Sequence, residues 1–430
     1  MIRILDAADV SREEILSRNE PTSNVSDIVS GIIAKVRAEG DAALKELTAR
    51  FDKVELEDLR VSEAEIDEAL GLVEPDFLEV LARAAANIRA FHEAQVREGF
   101  SLKREDGVVV GQKVLPIERV GLYVPGGTAA YPSTVLMDAV PAKIAGCAKI
   151  VMCTPPGRNG KVNPAILAAA REAGIDEIYK VGGAQAIAAM AYGTESVPRV
   201  YKIVGPGNAF VAEAKRQVFG QVSIDMIAGP SEILVVADGK ANAAQVAADL
   251  LSQAEHDKMA SAVLVCDSMD LARAVAAEIE AQLPKLVREE IARASIENNG
   301  KIIVAENLTD VIDIANEIAP EHLELVVDDP FAYLDAIKNA GSVFMGRNCP
   351  EALGDYFAGP NHTLPTSGTA KFSSPLSVDD FVKKSQFIYY TTEALADVAK
   401  DVAVFAMKEG LTGHARSALI RSFPGELPER

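Results

Sequence analysis

The chain has 430 residues, of which 49% are hydrophobic and only 5% aromatic, with no tryptophan. That length exceeds what one core usually organises, and the aliphatic bias favours layered α/β packing, so two major domains are expected. The formal net charge of −20 repels nucleic acid and anionic lipid, and no Lys/Arg run offsets it, which argues against both as partners.

The N-terminus, MIRILDAADVSREEIL, carries acids from Asp6 onward and lacks the apolar stretch of a signal peptide. No apolar run approaches the ~18 residues of a membrane span. A cytoplasmic protein with no membrane partner is therefore the expectation. The four cysteines, Cys147, Cys153, Cys266 and Cys349, show no Cys-x-x-Cys spacing. For three of them, in apolar strand-like surroundings, a small buried thiol is the favoured reading.

From Ser23 to Val96 apolar residues recur at helical spacing, as in SDIVSGIIAKVRAEGDAALKELTARF, which predicts a helical layer. From Val120 the pattern changes to short apolar runs closed by Gly or Pro: GLYVPGG, KIVMCTPP, EIYKVGG and KIVGPGN. A second series follows in SEILVVAD, SAVLVCD, KIIVAEN, LELVVDD and GSVFMG, separated by amphipathic helices. Two successive βα arrays predict an α/β fold with two doubly wound, Rossmann-like lobes and small N- and C-terminal helical segments. The corresponding division is an N-terminal arm at 1–22, a discontinuous first α/β domain at 23–119 and 233–375, a second at 120–232, and a C-terminal helical domain at 376–430.

No G-x-G-x-x-G follows any predicted strand; Gly205-Pro206-Gly207-Asn208-Ala209-Phe210 has Phe at the third position, so the nucleotide fingerprint is incomplete. The turns Pro125-Gly126-Gly127, Gly182-Gly183 and Gly205-Pro206-Gly207 either let backbone approach a pyrophosphate or merely end strands.

The run from Ile224 to His256 is a Gly-Pro turn, a buried strand and a helix ending in Gln253-Ala-Glu-His256. A spacing of three puts Gln253 and His256 on one helix face, so two metal-binding or hydrogen-bonding groups point the same way. Of the five histidines, His256, His322, His362 and His414 lie beside acids, amides or glycine turns. Such neighbours permit either metal ligation or acid–base catalysis near neutral pH. His92, in AFHEAQ, reads as a partly exposed helical histidine with no role.

These motifs, in order, resemble the histidinol dehydrogenase family essentially end to end. The carriers are Ile224-Asp225 through Ala228-Gly229-Pro230-Ser231-Glu232 to Glu255-His256; Ala319-Pro-Glu-His-Leu-Glu-Leu325; Pro350-Glu-Ala-Leu-Gly-Asp355 with Ala358-Gly-Pro-Asn-His362; and Glu409-Gly410-Leu411 leading to His414. The resemblance implies one Zn2+ per subunit on Gln253, His256, Asp355 and His414, a donor set that suits a borderline divalent ion. It implies a catalytic pair, with His322 accepting the alcohol proton and Glu321 drawing a proton from the water that hydrates an aldehyde. Outside that resemblance, Pro320-Glu321 reads as a helix start. The family match further assigns substrate contacts to Ser231, His362 and Glu409 beside the metal and catalytic residues, and NAD contacts to Tyr123, Gln185 and Asn208.

The implied reaction is the four-electron oxidation of L-histidinol through L-histidinal to L-histidine with two NAD+, the last two steps of histidine biosynthesis, by a homodimer with shared active sites. Two other readings remain at this point. A related zinc/NAD enzyme would oxidise another polar alcohol such as a sulfonated diol, and a two-lobed binding protein would capture a metal or metabolite without reaction.

Overall fold

The computed structural model describes residues 2–18, 25–126 and 130–428. In chain order its strands are β1 (Arg3–Asp6), β2 (Phe100–Lys103), β3 (Val109–Pro116), β4 (Arg119–Tyr123), β5 (Lys149–Thr154), β6 (Glu177–Lys180) and β7 (Lys202–Val204). They continue as β8 (Ser223–Ile224), β9 (Glu232–Ala237), β10 (Ser261–Cys266), β11 (Lys301–Val304), β12 (His322–Val326), β13 (Ser342–Met345) and β14 (Val382–Tyr389). The chain divides into two compact units. One holds residues 1–95 and 117–381, and the other holds 96–116 and 382–430.

The first unit contains two parallel sheets. The five-stranded sheet runs β6-β5-β4-β7-β8 and the six-stranded sheet runs β1-β11-β10-β9-β12-β13. In each, the chain winds outward from a first strand, returns, and winds the other way. The order reverses between β4 and β7 in one sheet and between β9 and β12 in the other, the switch points where doubly wound folds leave a crevice.

Both sheets are buried on two faces, which is why their strands read as continuous aliphatic runs. One face of the five-stranded sheet packs Ile66, Leu81, Ile88, Leu136 and Leu167, and the other packs Val29, Leu44, Ile187 and Val211. On the six-stranded sheet, Val246, Leu250, Val275 and Ile296 cover one face and Ile15, Val311 and Ile314 the other. The helices between Ser26 and Glu93 thus complete the five-stranded core, whereas the sequence division grouped 23–119 with 233–375. Helical spacing identifies an apolar face but not the sheet that it will cover.

Two further differences concern the ends of the chain. The expected N-terminal arm contributes β1, which pairs in parallel with β11, while residues 19–22 of that arm lie outside the described residues. In the second unit, β14 pairs antiparallel with β3, which also pairs with β2, where a mainly helical segment was expected. The exposed Lys383, Lys384, Ser385 and Gln386 of β14 remove the apolar signal on which a strand reading depends. Helices Thr392–Lys408 and Thr412–Leu419 follow and pack on each other through Ala399, Ala403, Ala406, Ala415 and Leu419.

Candidate active site

The carboxyl edge of the five-stranded sheet opens into a cavity of about 700 Å3 at the β4/β7 switch point, lined by Tyr123, Gln185 and Asn208. Tyr123 ends β4, and its Oη accepts from the Gly183 N–H at 3.0 Å. Asn208 caps helix Ala209–Val218, its Oδ1 accepting from the N–H groups of Phe210 and Val211 at 3.0 and 3.2 Å. Gly205 has φ of +115°, and a Cβ there would lie 2.1 Å from the Tyr123 carbonyl oxygen. Only glycine lets the end of β7 approach β4 so closely. Gly127, part of one predicted turn, lies outside the described residues.

A second cavity, of about 410 Å3, shares Tyr123, Gly126 and Asn208 with the first and extends to Ser231, Gln253, His256, Glu321, His322, Asp355 and His362. These side chains converge at the amino edge of the six-stranded sheet, again at its switch point. Ser231 immediately precedes β9, Glu321 precedes β12, and His322 opens β12. The route into β12 is abrupt: helix Leu308–Ile318 stops at Ala319, a left-handed residue with φ of 52°, and Pro320 follows. Pro320-Glu321 therefore leads into a strand and does not start a helix, because His322–Val326 is wholly buried between neighbours.

Asn242 caps helix Ala243–Ala254, whose last turn holds Gln253; the His256 N–H then bonds the Gln253 carbonyl at 3.1 Å. That tightened turn carries the i, i+3 relation past the helix end, and both side chains reach one cavity. Gln253 is fully buried. Its Nε2 lies 3.2 Å from Glu351 Oε1 and 2.9 Å from His322 Nδ1, while its Oε1 has no hydrogen-bond partner among the described residues.

Helix Glu351–Tyr356 supplies Asp355 and, one turn earlier, Glu351. His256, Glu351 and Asp355 offer ligand atoms within 4.8 Å of one another. Glu351 is absent from the sequence-predicted site, although its i, i+4 spacing from Asp355 placed it on the same helical face. Burial lowers the His256 pKa, more than Asp355 raises it, so its imidazole stays neutral and able to coordinate. An unpaired buried amide oxygen beside a neutral imidazole and two carboxylates fits a divalent cation of the zinc type.

His322 Nδ1 lies 3.0 Å from the Glu232 carbonyl oxygen and 2.9 Å from Gln253 Nε2, and the ring Nε2 faces Asp355 Oδ1 at 3.5 Å with no hydrogen bond among the described residues. Glu321 Oε2 accepts from the Glu232 N–H at 2.8 Å. Burial pushes the Glu321 carboxyl up to about 8, against the opposing influence of His322. For His322 burial disfavours the charged ring, but Glu321, Asp355 and Glu351 outweigh it and push its pKa up to about 10. A divalent cation among those carboxylates would cancel that influence and return His322 toward the range of a neutral base.

His362 Nδ1 donates to the Asp355 carbonyl at 3.0 Å, leaving Nε2 to accept from Thr134 Oγ1 at 3.2 Å. Glu409 and His414 belong to the second unit, at the C-cap of helix Thr392–Lys408 and within helix Thr412–Leu419, and both are exposed. His92 corrects the sequence expectation: it is fully buried, with Nδ1 2.7 Å from Gln95 Oε1 and Nε2 3.4 Å from Asn361 Nδ2. Cys147, Cys153 and Cys266 are buried free thiols.

Fold and site define an α/β oxidoreductase of the dehydrogenase class. The chain matches the family model described as histidinol dehydrogenase over residues 16–422. A histidinol dehydrogenase of Listeria monocytogenes is 56% identical over 410 residues, covering 95% of this chain and 96% of the relative. One from Clostridium acetobutylicum is 52% identical over 98% of this chain and 99% of the relative. The crystal structure of histidinol dehydrogenase from Elizabethkingia anophelis superposes with a TM-score of 0.93 at 38% identity, covering 98% of both chains. The chain belongs to the histidinol dehydrogenase family, whose members are NAD-linked dehydrogenases. None of these relatives supports the reading of a dehydrogenase for another polar alcohol. Among the described residues no helix is long and apolar enough to cross a membrane.

Proposed function

We propose that this protein oxidises L-histidinol through L-histidinal to L-histidine, reducing two NAD+ in sequence at one site. The observation that carries this reading is that the two cavities adjoin. Tyr123 and Asn208 line both the dinucleotide-sized cleft and the cavity holding Gln253, His256, Glu321, His322 and Asp355.

Gln253, His256 and Asp355 would hold zinc, with Glu351 beside them and His414 as a further donor. Bound there, zinc would supply Lewis-acid charge and orient a substrate through its imidazole and amine. His322, its Nδ1–H fixed on the Glu232 carbonyl, presents Nε2 to take the alcohol proton as hydride leaves the carbon for NAD+. Glu321, its carboxyl pushed up to about 8 by burial, takes in its ionised form a proton from the water that adds to the aldehyde, and a second hydride transfer gives the carboxylate. Ser231 and His362 line the same cavity, where they would contact the substrate. Retaining the aldehyde between steps protects it from water and amines.

A homodimer completes the reading, as the resemblance implies, with His414 and Glu409 delivered to the site of a second copy. Its support is the apolar surface of the second unit, where Leu102, Ile388, Tyr389, Val404 and Phe405 are each more than half exposed.

The test is NADH absorbance on adding histidinol and NAD+ to purified protein, before and after chelation. Turnover that disappears with the metal and returns with zinc supports the reading. A bound metal without NADH supports a binding protein instead.

A further inference from the structure

One residue anchors both members of the Glu321–His322 pair. Glu232 opens β9; its N–H holds Glu321 Oε2 at 2.8 Å and its carbonyl holds His322 Nδ1 at 3.0 Å. The Glu232 side chain points the other way, is 7% exposed, and meets the Arg18 fork: Nε to Oε1 at 2.8 Å and Nη2 to Oε2 at 3.2 Å. Arg18 Nη2 also donates to the Ile318 carbonyl at 2.6 Å, at the end of the helix whose next residues are Ala319, Pro320 and Glu321. One guanidinium thus ties the start of β9 to the turn that delivers Glu321 and His322.

The segment carrying Arg18 is itself fixed. Buried Lys301, on β11, donates through Nζ to the carbonyls of Ile15 and Ser17 at 2.7 and 2.8 Å. Arg18 lines cavities on the far side of Glu232 and does not line the one that holds Glu321 and His322. A buried carboxylate stripped of its cation either protonates or turns toward water, and either change releases the peptide units on both sides. Only a planar fork satisfies both carboxylate oxygens and the Ile318 carbonyl together.

We propose that Arg18 is a positioning residue for the Glu321–His322 pair, acting through Glu232, so that the N-terminal segment sets the aim of His322 Nε2 although it does not line the active-site cavity. This rests on the proposed oxidation of histidinol. Small misplacements of a reacting group cost up to about 100-fold in rate, whereas substrate and NAD contacts are left in place.

The test compares wild type with Arg18→Met and Arg18→Lys, each assayed per metal-loaded site. The expected result for Arg18→Met is a kcat lowered by roughly 10- to 100-fold, with KM for histidinol and NAD within about twofold and metal content unchanged. Arg18→Lys, which restores charge without the fork, should remain well below wild type. Guanidinium at sub-denaturing concentration should recover part of the Arg18→Met rate, and equal urea should not. An unchanged kcat per metal-loaded site in Arg18→Lys, or a loss explained wholly by lower metal content, overturns the proposal. If wild type itself yields no NADH from histidinol, the underlying reading fails, which is a different outcome.

Discussion

Gln253 Nε2 donates to Glu351 Oε1 across 3.2 Å, and that bond leaves the other amide atom, Oε1, buried with no partner among the described residues. The carboxylate also accepts from Ser252 Oγ at 2.7 Å, so its own orientation is fixed. Glu351, together with His322 Nδ1 at 2.9 Å from the same Nε2, thereby sets which end of the Gln253 amide faces the cluster. Replacing Glu351 with Ala should free the amide to rotate and weaken zinc binding by about 10- to 100-fold, the usual cost of losing a group that orients a ligand. Competitive titration with a chromophoric chelator measures this, and wild-type affinity in the variant would refute it.

His256 and His322 occupy one cavity but should respond differently to substitution. His256→Ala removes a donor and should lower bound zinc and turnover together. His322→Asn should keep zinc and lower kcat by about 100- to 10,000-fold, as expected for loss of a general base. Metal analysis of both variants beside single-turnover rates checks this; zinc loss in His322→Asn with retention in His256→Ala would reverse the assignments.

Asn208 serves two ends, capping helix Ala209–Val218 and lining the larger cleft, where the proposed reading seats NAD. Asn208→Ala should cost about 1 kcal/mol of stability through the lost cap and raise KM for NAD several-fold. Asn208→Asp keeps the cap but sets a carboxylate toward an anionic ligand, so it should raise that KM with little loss of Tm. Equal KM values in both variants and wild type would remove Asn208 from the NAD contacts.

Asp52 lines the same cleft with Oδ2 buried and without a partner among the described residues, and burial pushes its carboxyl up to about 6. Below the unfolded value near 4 the group is protonated in both states and costs nothing; between there and 6 the unfolded state ionises while the folded state keeps its proton, so the penalty grows with pH. The penalty is complete above 6. Asp52→Asn should therefore raise stability at pH 7 by on the order of 1 kcal/mol and leave it nearly unchanged close to pH 4. Denaturant unfolding of metal-free protein at the two pH values provides the comparison, and equal gains at both would contradict it.

Much of this was legible from residues alone. Val235, Val236, Leu264 and Ile303 lie in strands buried on both faces, and continuous aliphatic runs announce such strands. Gln253 and His256 are linked by local helical geometry, which spacing captures. Their meeting with Asp355 and Glu321 is a product of tertiary topology, which gathers the starts of β9 and β12 and the end of one helix at a switch point, and no spacing encodes it. His92 was read as partly exposed and Glu351 was not singled out for one reason: a polar residue on a helix carries no sequence mark of burial, yet Ser252 and Gln253 cover Glu351, and Gln95 and Asn361 cover His92.

The most direct measurement is NADH formed per histidinol consumed by zinc-loaded protein with NAD+ in excess, with bound metal determined on the same sample. The account predicts a ratio of about two, the stoichiometry of a four-electron oxidation, with no aldehyde escaping to a trapping amine and no NADH after chelation. A ratio of one with free aldehyde, or undiminished turnover by metal-free protein, would contradict it.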